Sequence, residues 1–155
     1  MPTITTRAAL GFLAAAISVL TFHQAMWEIL HALAIPGLAM PPAYPTDPIP
    51  PLGIPRIANL CFWGGLYGTV FGLVLPRLSP PLWLWGLGLG IIAALVGLLL
   101  VPAIKGLPIG AGWAPLSWLR SFLINGSWGI GVGLILPPIM RLAGSGETRL
   151  HTRTG

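Results

Sequence analysis

The chain has 155 residues, of which 55% are hydrophobic and only 7% charged, with a mean hydropathy of +0.85. Soluble domains carry about a quarter charged residues, so a water-soluble globule is excluded and the expected surroundings are a lipid bilayer. A net charge of +5 would suggest nucleic acid in a soluble protein, but the Arg and Lys residues stand singly along the chain, and no nucleic-acid partner is expected.

Four charge-free windows follow in order. They hold twenty residues between Arg7 and Glu28, twenty between Arg56 and Arg77, twenty-seven between Arg77 and Lys105, and twenty between Arg120 and Arg141. A hydrocarbon core of about 30 Å takes roughly 20 helical residues, and backbone polar groups in lipid must be satisfied within a helix or a closed barrel. Barrel strands alternate with period two, and the run at 90–101 does not. The predicted fold class is an all-α membrane protein: a single integral domain with four transmembrane helices at 8–33, 57–75, 82–101 and 119–136.

The first window could be read as a signal peptide, because Arg7 precedes an apolar run and Ala32-Leu33-Ala34 resembles a cleavage site. The polar stretch from His23 to His31 is too long for a cleavage region, so a retained helix is expected. That stretch is the chain's one polar constellation. At 100° per residue, His23, Gln24, Trp27, Glu28 and His31 fall on one face, within about 140° of arc, and apolar residues take the other. His23 lies about 24 Å along the helix from Arg7 and Glu28 about 32 Å. His23 and Gln24 are therefore just inside the hydrocarbon, where an unmatched polar group is costly. The face is expected to contact protein, pigment or ordered water, with Asn125, Ser127 and the loops as partners.

The loop at 34–56 carries eight prolines. Proline fixes φ and has no N–H, so residues 41–51 are expected to run as a stiff, polyproline-like cover over the outer end of the bundle. The loop at 102–115 is rich in Gly and Pro, and its Trp113, with Trp118, is expected at the interface, as are Trp27, Trp83 and Trp85. Arg7, Arg77, Arg141, Arg149 and Arg153 fall on one side, against Arg56, Lys105 and Arg120 on the other. This predicts both termini, with a tail at 141–155, in the cytoplasm of a bacterial inner membrane.

Glycines recur at helical spacing: Gly64, Gly68 and Gly72 on the second helix, Gly86 and Gly90 on the third, Gly129 and Gly133 on the fourth. Such stripes let backbones approach closely. The second and fourth helices are expected to pack together through them, with surplus small-residue surface for docking onto other membrane protein subunits. A shift of 61 residues lays 65–76 on 126–137 with six of twelve identities, and a shift of 69 lays 34–38 on 103–107. The expected architecture is two tandem, duplicated helical hairpins arranged as parallel repeats. The shift of 69 sets His23, Gln24, Glu28 and His31 over Ile92, Ala93, Gly97 and Leu100, so the polar face belongs to the first half alone.

No catalytic set can be assembled. Glu28 and His31 have the spacing of a di-metal motif, but no second copy exists and no metal site is expected. His23 and His31, about 12 Å apart on one helix, cannot clasp one haem. His23 as a single axial ligand to a haem or chlorin is the one cofactor alternative to none. Cys61 reads as a small apolar side chain. The expected function is that of a small non-catalytic accessory subunit of a larger membrane complex; the alternative is a proton, ion or solute pathway using the polar face.

Overall fold

A computed structural model describes residues 3–151, with side-chain surroundings through Gly144. Four helices are long and apolar enough to span a membrane, consistent with an integral membrane protein. They are α1 (Ile4–Leu33), α2 (Arg56–Arg77), α3 (Leu82–Lys105) and α4 (Pro115–His151). Successive helices run in opposite directions along the bundle, and the first helix starts at the end where the last one finishes. The opposite end, which carries the loop after α1, is the loop end.

Three of these helices run close to the expected bounds, and α4 does not. It begins at Pro115, whose missing N–H is harmless in the first turn, and continues through Pro137 and Pro138 to His151. A helix was expected to stop before these prolines. Two missing N–H donors interrupt the ladder opposite Gly133 and Leu134 without ending it. The side chains of Arg149 and Arg153 lie outside the described residues.

Helices α1 and α2 lie side by side, as do α3 and α4, and α1 crosses against α4; α2 and α3 barely touch. Packing explains this order. A methyl group on Gly68 would strike the Gly11 backbone and one on Gly72 the Arg7 carbonyl, while one on Gly129 would strike Gly86 and one on Gly133 Leu82 and Trp83. The expected pairing of the second helix with the fourth is thereby corrected: Gly68 and Gly72 of α2 face α1, and Gly129 and Gly133 of α4 face α3. Between the pairs the core consists of Ala14, Ala15, Val19, Phe71, Trp128, Val132 and Leu136. Ser18 Oγ donates to the Trp128 carbonyl at 2.6 Å and Trp128 Nε1 to the Ala15 carbonyl at 3.1 Å, so polar groups at the α1–α4 crossing are matched within the protein.

Both α1 and α3 contain a π-helical turn, at Val19–His23 and Val96–Leu100. Such a turn inserts one residue and redirects carbonyls. In α1 two carbonyls of the turn are used: Ser127 Oγ donates to Phe22 O at 2.7 Å and Tyr44 Oη to Leu20 O at 2.9 Å.

The loop at 34–56 departs from a continuous polyproline run. Tyr44 takes a left-handed conformation (φ 57°), and Pro48–Ile49 pairs antiparallel with Ile54–Pro55 to make a two-stranded ladder. Leu38 is buried against Leu30 and Ile124, which fastens the loop over the ends of α1 and α4.

A cleft between the helix pairs

The polar face of α1 is the docking strip for that loop. Trp27 Nε1 donates to Pro41 O at 2.8 Å, and His31 Nδ1 hydrogen-bonds Met40 O at 2.8 Å. The Ala43 N–H donates to Glu28 Oε2 at 3.1 Å and the Tyr44 N–H to Gln24 Oε1 at 2.6 Å. Four of the five side chains thus satisfy a loop backbone that, being rich in proline, has no regular partner of its own. Gln24 is completely buried in doing so. Glu28 and His31 are occupied with separate loop groups, Ala43 and Met40.

His23 behaves differently. It is only 7% exposed, its ring tilts against Trp27 with centroids 5.7 Å apart, and it lines a cleft of about 590 Å³. The cleft exists because α2 and α3 are held apart by their separate partners. Its walls come from all four helices in their loop-end halves, and its rim includes the exposed residues Trp63 of α2 and Leu100 and Ile104 of α3. Each helix also contributes a polar side chain: His23 from α1, Asn59 from α2, Lys105 from α3 and Asn125 from α4. Asn125 Nδ2 is bonded to the Ser121 carbonyl at 2.9 Å. Ser127, not Asn125, ties α4 to α1.

Each glycine of the expected stripes has a definite neighbour. Gly68 and Gly72 meet α1, Gly86 and Gly90 meet α4, and Gly129 and Gly133 meet α3. Gly64 sits where α2 approaches Val19 and the Trp128 ring, at the cleft. On α3, Gly88 and Gly97 have open space beside them.

Several contributors escaped the sequence reading. Gly131 lies against Ser18 and Phe22 of α1; two positions from Gly129 and Gly133, it turns about 200° away from them. Asn59 was passed over, although Asn59 and Asn125 are the chain's only asparagines and both lie in apolar helices, where a polar amide is a signal in itself. Lys105 was counted only as a loop charge.

No family of known proteins, no curated protein and no solved structure matches this chain.

Proposed function

We propose that the protein is a non-catalytic component of a bacterial inner membrane, with both termini cytoplasmic, that holds an apolar small molecule in the cleft between its helix pairs. The observation that carries this reading is the cleft itself. A concavity of this size with mostly apolar walls and a few converging polar groups is the usual form of a small-molecule site. A conduit along the α1 polar face is less well supported, because four of its five side chains are spent on the loop.

The chain is also proposed to be a tandem duplication. Arg7, Gly11 and Ala15 meet α2 as Leu82, Gly86 and Gly90 meet α4, an offset of 75 residues, while Gly68 and Gly72 correspond to Gly129 and Gly133 at an offset of 61. The contacts thus favour 75 over the 69 suggested by the loop sequences. His23, Gln24, Glu28 and His31 then stand over Leu98, Leu99, Ala103 and Gly106, still without polar counterparts.

A second reading, an accessory subunit with a partner helix against α3, is favoured by the open space beside Gly88. Extraction in native lipid nanodiscs followed by native mass spectrometry tests both. The expected result is the chain with a small apolar molecule bound, lost in Gly97→Phe, which puts a ring into the cleft. A second polypeptide in fixed ratio would select the subunit reading, and a chain carrying neither would overturn both.

A further inference from the structure

Resting on the reading of the cleft as a small-molecule site, we propose that its ligand is a lipid-soluble molecule with a carbonyl-bearing ring, of the quinone class, and that His23 Nε2–H donates the hydrogen bond that fixes the ring. The direction of this bond follows from a chain of contacts. The Tyr44 backbone N–H can only donate, so the Gln24 atom that meets it at 2.6 Å is the carbonyl oxygen. The other end of that amide is the NH2 group, which lies 3.2 Å from His23 Nδ1. An NH2 group can only donate, so Nδ1 accepts. An imidazole that accepts at Nδ1 is neutral and carries its proton on Nε2.

Nε2–H has no partner among the described residues, and it is not one of their fully enclosed unmatched atoms, of which Arg7 Nε is the one example. In a ring 7% exposed that lines the cleft, the remaining opening for this donor is the cleft. The same tautomer leaves no lone pair on Nε2 for a metal, which argues against axial ligation of a haem or chlorin.

The rest of the cleft favours acceptor oxygens on a flat, neutral ring. Asn59 has no hydrogen-bond partner among the described residues and can donate, as can Lys105 near the rim, and no carboxylate lines the cavity. Trp63, Tyr67 and Trp128 supply aromatic wall, with Tyr67 and Trp128 edge to face at 6.2 Å. Such walls suit a conjugated ring. The deep donor is a neutral imidazole, which matches a carbonyl better than a carboxylate, whose charge would need a cation at that depth. The rim between α2 and α3 lets an alkyl tail leave into the bilayer.

The test uses the full chain in nanodiscs with two probes of equal tail, a decyl-substituted 1,4-benzoquinone and decylbenzene, and with palmitate as a third probe, bound amounts being read by native mass spectrometry. The benzoquinone is expected to bind at least tenfold more tightly. His23→Leu is expected to remove that preference while leaving decylbenzene binding unchanged, which also shows that the cleft is still folded. Asn59→Leu, at a half-buried position, should reduce the preference severalfold and serves as the second variant. Equal binding of the two probes would overturn the carbonyl assignment while leaving the cleft as a site. Preferential binding of palmitate would overturn it in favour of a carboxylate. Binding of no probe would remove the cleft reading as well.

Discussion

In the first helix pair Gly68 rests on Gly11, and in the second Gly129 rests on Gly86. In both, the first helix has a π-helical turn toward its loop end. Beyond those contacts the pairs diverge. The turn in α1 gives two carbonyls to Tyr44 and Ser127, and the helix continues into a polar strip covered by a long loop. The turn at Val96–Leu100 has no side-chain donor among the described residues, and α3 runs on apolar to Lys105. The contrast separates two jobs: backbone contacts between small residues hold each pair together, whereas polar side chains on one helix fasten a cover and point one imidazole into the space between the pairs.

The largest expected effect tests the shared part. Leu at Gly68 or Gly129 puts a side chain into opposing backbone, which cannot move aside as a flexible side chain can. Both variants should fail to give a monodisperse folded protein on size-exclusion chromatography, whereas Gly88→Leu, beside open space, should behave as the parent. Tolerance at one pair and failure at the other would mean that the two contacts are not equivalent, and the duplication would lose its main support.

The next effect tests the difference. Gln24→Leu leaves the Tyr44 N–H and His23 Nδ1 without partners, and a buried group so stranded costs about 1–3 kcal/mol. Thermal unfolding in mild detergent should show that loss, and proteolysis within 41–47 should become faster as the cover loosens. The offset of 75 sets Leu99 opposite Gln24, so Leu99→Ala should leave cleavage of the loop unchanged. Equal cleavage in Gln24→Leu and the parent would mean that the loop is held by Trp27, Glu28, His31, Leu38 and the ladder without need of Gln24.

Much of the fold was legible because the bilayer imposes one rule, that a span be long, apolar and internally bonded, and the four windows state it directly. Which helices pair was not legible, because Gly68 and Gly129 offer small faces without naming a partner. Gly11, which decides the matter in the first pair, is an ordinary glycine in an apolar run, and Gly86, though part of a stripe, names no partner either. The polar face was visible as a face, from the spacing of His23, Gln24, Trp27, Glu28 and His31. Its division into four loop contacts and one cleft residue depends on where the backbone of residues 40–44 comes to lie, and a proline-rich loop gives no periodicity from which to read that. The cleft is the space left where α2 and α3 fail to meet, and no stretch of sequence encodes it locally.

The smallest effect has opposite signs in the two pairs. Each first helix ends on a residue in the left-handed conformation: Ala34, with φ 48°, after α1, and Gly106, with φ 65°, after α3. Gly106 is the usual solution, since glycine lacks the Cβ that crowds the backbone there. Ala34 bears that crowding. Both positions are exposed, and the space around Gly106 is open, so neither exchange alters packing. Ala34→Gly should stabilise the protein by about 0.5–1 kcal/mol, the relief of strain exceeding the added freedom of the unfolded chain, and Gly106→Ala should destabilise it by about 1 kcal/mol. Chemical denaturation of the two variants in the same detergent checks the signs. A loss of stability in Ala34→Gly would mean that its methyl group helps to seat the Pro-rich cover, and the end of α1 would then belong to the loop's fastening together with Gln24 and Leu38.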